Sequence, residues 1–180
     1  MGTDINVFAE LAEPDGRFEA LVDGAFLLPR DYSLFAALAG VRAWGGFRPL
    51  IAPRGLPANV SPEVSGGYFV PVLSDKKAAI WRFGEYYTPE QAAAAVQQGT
   101  SHWLPAGTTT PLLPSDGGYI SHPDRHTASW LSVDEVRRAL AFAGLAEQAT
   151  PRRFQLLVGY LASAEVALNA RARVVFWFDN

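Results

Sequence analysis

The sequence predicts an α+β fold: an N-terminal β-hairpin and a C-terminal central strand share one mainly antiparallel sheet, and helices pack on one face of it. Three observations lead there. Ile5, Val7, Ala9 and Leu11 alternate with Asp4, Asn6, Phe8 and Glu10, a period of two that makes a strand with one buried face. Residues 173–180 (Arg-Val-Val-Phe-Trp-Phe-Asp-Asn) are apolar on both faces, as suits a strand in the middle of a sheet. Between them lie segments with helical spacing and helix-start chemistry.

In chain order, Pro14-Asp15-Gly16 turns the first strand, and Phe18, Ala20 and Val22 alternate on a second. Asp31-Tyr32-Ser33 offers caps to a short helix carrying Leu34, Phe35, Leu38 and Val41, with Gly40 near its end. Residues 44–67 are rich in Gly, Pro and Arg and predict a long ordered loop, with Gly45-Gly46 and Gly66-Gly67 as turns. Ser74-Asp75-Lys76-Lys77 is expected to turn a hairpin between strands at 68–73 and 78–83. Thr88-Pro89-Glu90-Gln91 starts a helix that runs through the alanines to about Gln98, and residues 99–123 return to loop. Ser132-Val133-Asp134-Glu135 is a capping box, and Thr150-Pro151 opens the last helix, striped by Phe154, Leu157, Val158, Leu161 and Leu168. The whole reads as one α+β domain over 1–180 with a loop-rich insertion at 66–118.

The 180 residues include no Cys, which excludes disulfides, thiolate metal sites and a Cys nucleophile. No apolar run is long enough to span a bilayer, and no signal peptide is read, so a cytoplasmic protein is expected. The net charge of −3 argues against a general nucleic-acid coat, and no membrane or nucleic-acid polymer is expected as a partner. The basic residues are 13 Arg and only two Lys, Lys76 and Lys77. Residues 30–54 hold Arg30, Arg42, Arg48 and Arg54 against one acid, Asp31, which leaves that segment at +3 and the rest at −6. Guanidinium forks suit phosphate and carboxylate, although surface arginines commonly pair with neighbouring carboxylates.

His122, Asp124 and His126 lie two apart, so on an extended segment they would face one side. With Asp4 or Asp179 they would form a hydrolytic centre around a metal-activated water, although the spacing matches no established ligand motif. No nucleophile elbow, Walker loop or dinucleotide fingerprint is present. Ser129 is expected at a cap or core edge. Trp44, Trp81, Tyr86 and Trp103 sit in Gly/Pro-rich surroundings and could stack on a base or fold into local cores.

Four pieces of the chain resemble a family of small phage- and prophage-encoded proteins of uncharacterised activity. They are Met1-Gly2-Thr3-Asp4-Ile5; Arg30-Asp31-Tyr32-Ser33-Leu34-Phe35-Ala36 continuing to Arg42; Pro53-Arg54-Gly55-Leu56-Pro57 followed by Val60-Ser61; and His126-Thr127-Ala128-Ser129-Trp130-Leu131 with the Val174-Val175-Phe176-Trp177-Phe178-Asp179-Asn180 end. Relatives tend to carry His where this chain has Asn6, and Asp-Gly-His-Ser where it has Asp124-Arg125-His126-Thr127. Both differences move the chemistry away from catalysis and toward anion binding. The resemblance implies a phage accessory protein acting in an infected bacterial host.

Three functions are therefore weighed. In the first, the protein sequesters a small anionic nucleotide-type signal as a counter-defence sponge without turning it over, and without a metal or other cofactor. Arg30, Arg42, Arg48 and Arg54 would meet phosphates, Tyr32, Trp44 or Trp130 would stack, and His122, Arg125 and His126 would close the pocket. In the second it is a metal-assisted phosphodiesterase using Asp4, Asp124, His126 and Asp179. In the third it blocks a host protein through an exposed apolar patch within 66–118. A homo-oligomer is a further expectation.

Overall fold

The structure is a computed structural model that describes residues 2–22, 24–104 and 115–180. The chain divides into two compact units, residues 1–61 with 126–180 and residues 62–125. The expected insertion at 66–118 lies inside the second.

The first unit contains β1 (Asp4–Ala12), β2 (Phe18–Ala20), β3 (Phe26–Leu27) and α1 (Tyr32–Ala39). It resumes with β7 (Arg125–Ser132, whose first residue belongs to the second unit), α5 (Val133–Phe142), α6 (Arg152–Leu168) and β8 (Ala172–Asp179). Its sheet has the order β2-β1-β8-β7, with β3 also paired to β1, so the C-terminal strand is central as the sequence predicts. β1 and β8 are antiparallel, with Asp4 opposite Asp179 and Glu10 opposite Arg173. His126 stacks on Phe178 while the Trp130 ring lies 5.8 Å from the Arg173 guanidinium, so β7 runs antiparallel to β8 as well.

Alternation sorts the two faces. Ile5, Val7, Ala9 and Leu11 join Val174, Phe176 and Phe178 in a core with α1, α5 and α6. The other face is not the open one that the hairpin pattern suggests. Phe8 and Trp177 are buried there with rings stacked at 5.1 Å, and so is an ion pair, Glu10 with Arg173. Arg173 Nε donates to Glu10 at 2.6 Å, its other nitrogens donate to the side chain and carbonyl of Asn59 at 3.0 Å each, and Ser61 N–H donates to the second Glu10 oxygen at 2.7 Å. The guanidinium also lies 3.6 Å over the Phe18 ring. Burial pushes the Arg173 pKa down, and the adjoining carboxylate opposes that shift.

The helix starts follow their sequence chemistry. Asp31 caps α1 by accepting from Leu34 N–H, and Gly40 ends it in the left-handed region at φ 72°. Gly40 is required twice, because a Cβ there would also meet Pro49 Cδ at 2.9 Å. Ser132 and Glu135 form the reciprocal capping box of α5. Glu135 also takes a two-pronged ion pair from Arg54, at 2.7 and 3.1 Å, which holds its carboxyl below the usual range. A depressed carboxylate contributes stability above its unfolded pKa and loses it as pH falls through its folded value. Glu135→Ala is therefore expected to cost about 1–2 kcal/mol at neutral pH, with the gap to wild type closing in acid. Urea melts across a pH series check this.

The second unit contains α2 (Pro62–Tyr68), β4 (Phe69–Pro71), α3 (Asp75–Ala78), α4 (Pro89–Gln97), β5 (Trp103–Leu104) and β6 (Tyr119–Ser121). Its antiparallel sheet has the order β4-β6-β5, and Val70, Val72, Ala92, Ala95 and Ile120 make its core. α4 carries the expected Thr88/Gln91 capping box. Four local expectations are corrected here. The proposed hairpin around Ser74–Lys77 is absent: β4 pairs with β6 rather than with 78–83, and the supposed turn is the single helical turn α3. Gly66 and Gly67 lie inside α2 instead of in a turn. The 99–123 segment is not all loop, since it contributes β5 and β6. The strand β7 was not anticipated. Among the described residues no helix is long and apolar enough to cross a membrane.

Candidate functional site

One end of the larger sheet gathers polar side chains from four segments. Extending the β1–β8 register by one pair puts Thr3 opposite Asn180, on the helix-covered face with Ile5 and Phe178. Thr3 is buried and its hydroxyl donates to Asn180 Oδ1 at 3.1 Å. The same hydroxyl accepts from Arg42 Nε at 2.8 Å. Arg42 reaches it because Gly40 stops α1 and Arg42 itself takes a left-handed backbone, φ 55°.

His126 comes from β7. Strict alternation would place it with Trp130 on the face that carries Arg173, yet its ring stacks on Phe178, a residue of the helix-covered face, at 6.0 Å and 27°. The reversal has a visible cause. Thr127 adopts φ 53°, an unusual conformation for a β-branched residue, and breaks the alternation. Among the described residues three non-glycine positions have positive φ, and two of them, Arg42 and Thr127, flank this place. Backbone held in so sparsely populated a region is a reason to look for function.

Thr3, Val41, Arg42, His126 and Asn180 line a cavity of about 510 Å³. His126 Nδ1 is 2.9 Å from Thr127 Oγ1, while its Nε2 is closed off from solvent and has no hydrogen-bond partner among the described residues. If the Thr127 hydroxyl donates to Nδ1, Nε2 carries the proton and lacks an acceptor. Where Nδ1 instead donates to the Thr127 hydroxyl, Nε2 is an acceptor without a donor.

The opposite face of this sheet end is arranged differently. Arg30 grips both oxygens of Asp4 at 2.7 Å, and this exposed pair holds the Asp4 carboxyl below its ordinary range. Asn6 Nδ2 donates to Asp179 Oδ2 at 2.7 Å, and Asp179 Oδ1 is buried without a hydrogen-bond partner among the described residues.

The remaining sequence candidates are dispersed. Arg54 is bound to Glu135, donates to the Trp130 carbonyl at 2.5 Å and stacks 3.8 Å over the Trp130 ring, at the other end of β7 from His126. Tyr32 starts α1 with its ring edge-on to Phe35, and Arg48 is exposed in the loop that follows. Trp44, two residues beyond Arg42, is 59% exposed and stacks on Phe47 at 6.3 Å.

His122, Asp124 and Arg125 belong to the second unit. There His122 Nε2 meets Glu85 at 3.3 Å, its Nδ1 accepts the Asp124 N–H at 3.1 Å, and Arg125 donates to the Tyr68 carbonyl at 2.7 Å. Among the described residues no three His, Asp or Glu side chains are grouped so as to hold a metal ion.

The structure therefore brings Arg42 and His126 to one cavity and engages Arg30 and Arg54 in ion pairs elsewhere. Sequence reasoning missed Thr3 as a site residue. Its signal was the register between the two end strands, which carries Thr3 to Asn180. Comparison with protein-family models, curated proteins and solved structures finds no match to this chain.

Proposed function

We propose that the protein binds and sequesters a small anionic nucleotide-type ligand in the Arg42–His126 cavity without turning it over, as a phage accessory protein countering a host signal. The observation that supports this is the gathering of Arg42, Thr3, Asn180 and His126 around one cavity, with Arg42 fixed there by its bond to the Thr3 hydroxyl. The volume of about 510 Å³ is in the range of small-molecule sites. Arg42, positioned by the Thr3 hydroxyl, supplies guanidinium donors for a phosphate, and the exposed Trp44 offers a ring on which a base can stack. Asp4 and Asp179 lie on the sheet face opposite His126, which favours binding over hydrolysis by these three groups together.

The test is incubation with a panel of cyclic dinucleotides and ADP-ribose-type compounds, removal of free ligand, heat release and mass spectrometry. An intact compound in the released fraction is expected. Arg42→Ala and His126→Leu should each weaken its capture at least tenfold, about the loss of one charge-assisted contact. Arg17→Ala removes the same charge from the exposed Asp15 pair and should leave capture unchanged. A shortened product supports the hydrolase instead, and no capture from the panel overturns the nucleotide reading.

One observation favours a second reading, a module that blocks a host protein. The second unit exposes Ile80 and Phe83 at 75% and 69% on one short segment that also holds Trp81 and Tyr86. Isolated exposed apolar residues are ordinary, but several on one turn mark interaction surfaces.

A further inference from the structure

We infer that the outward face of α6 is a self-association surface that pairs two copies of this chain antiparallel about a two-fold axis. The inference is independent of the nucleotide reading. α6 is 17 residues long and turns Phe154, Leu157, Val158 and Leu161 into the core. Its outward side should then be polar, as on other surface helices. It is not: Leu156 is 74% exposed, Tyr160 59% and Val166 86%, and between Arg153 and Leu168 the helix has one charged residue, Glu165. Glu165 is not free for solvent, because it accepts from Ala172 N–H at 3.0 Å.

Charge along the helix selects a second copy as the occupant. The N-terminal turn carries Arg152 and Arg153, no acid and no side-chain cap, although a helix start favours negative charge. The last turn carries no basic residue, although a helix end favours positive charge. Each end lacks what the other has in excess. An antiparallel pair centred on Gly159 and Tyr160 sets Arg152 of one copy against Ala167 of the other, beside its carbonyl end, while Arg153 donates to the Leu27 carbonyl of its own chain at 3.2 Å. Both mismatches are relieved at once, in the self-complementary manner of a two-fold interface.

Two further features agree. Gly159 sits in mid-helix, where it disfavours the helix relative to Ala, yet a Cβ there would meet nothing within 4 Å in its own chain. Its smallness is explained by close approach of a second helix. Beside α6, Val22, Leu27 and Leu156 help to line an apolar groove of about 520 Å³, a seat for the Tyr160 ring of the second copy.

Sedimentation equilibrium of the full chain at micromolar concentration is expected to give about twice the 19.5 kDa of one chain. Gly159→Leu should weaken association at least tenfold while the melting temperature of the chain is kept, since the added side chain has open space within the monomer. Arg152→Glu with Arg153→Glu should weaken it by a similar factor, and added salt should then strengthen the remaining association instead of weakening it. A wild-type chain that stays monomeric across the range overturns the inference, and so does a dimer that survives Gly159→Leu undiminished.

Discussion

Arg173→Met is expected to destabilise the protein by about 3–5 kcal/mol, the loss found when one member of a buried ion pair is removed. The substitution leaves the Glu10 carboxylate buried without its cation, still accepting from the Ser61 N–H, and frees Asn59 of both its contacts to the guanidinium. The cost comes chiefly from the stranded charge and not from the attraction lost. The double variant Glu10→Leu with Arg173→Met removes both charges from directly paired positions and should recover most of the stability, since apolar replacements of buried pairs are often neutral. Urea unfolding of the wild type, the two single variants and the double variant measures the coupling. A double variant no better than Arg173→Met alone would show that the Asn59 and Ser61 bonds, and not the charge, carry the effect.

Phe178→Ala should cost about 3–5 kcal/mol, the range for emptying a buried aromatic site. Phe178 is fully buried and packs edge-on to Phe35 at 5.2 Å and to Phe176 at 6.0 Å. It is also the platform of the His126 ring, so the expected loss has a second part. Phe178→Leu keeps most of the volume and should lower stability by roughly 1–1.5 kcal/mol. It nevertheless removes the flat surface that orients His126 and should weaken ligand capture several-fold. Chemical denaturation reports the first part and capture by the folded variant the second. Wild-type capture by Phe178→Leu would mean that Thr127 alone sets the ring.

Much of the larger sheet was legible because local signals and tertiary needs agree in it. The alternation of β1, the doubly apolar β8, the Asp31 cap with Gly40 and the Ser132/Glu135 box all specify what the fold uses. The second unit was harder. Its strands are two or three residues long, too short for a period to show, and β4 finds its partner about 50 residues away in β6. The Glu10–Arg173 pair was invisible for a related reason. An acid in an alternating strand reads as a solvent position, and only the register of β1 on β8 reveals the cation that meets it. In the candidate site, residue type pointed to Arg42 and His126, but composition could not separate Arg42 from Arg30 and Arg54. That choice depends on where the fold carries each arginine: Asp4 and Glu135 hold Arg30 and Arg54, and the Thr3 hydroxyl holds Arg42 at the cavity. The reversal of His126 by Thr127 had no sequence signal, because threonine is a residue that strands favour.

The pairing of β1 with β8 also sets a timetable. β1 is made before the strand that completes its principal ladder, which lies some 160 residues later, with the whole second unit made in between. Until then Ile5, Val7 and Phe8 have only the short strands β2 and β3 beside them, and Glu10 has no cation. Sheets closed by such distant segments fold slowly, and their unpaired edges are exposed to association meanwhile. The second unit, continuous in sequence, can order first. The larger unit is then a late and abrupt event, in which arrival of one strand supplies the central ladder, the partner of a buried charge and the Asn180 side of the cavity together.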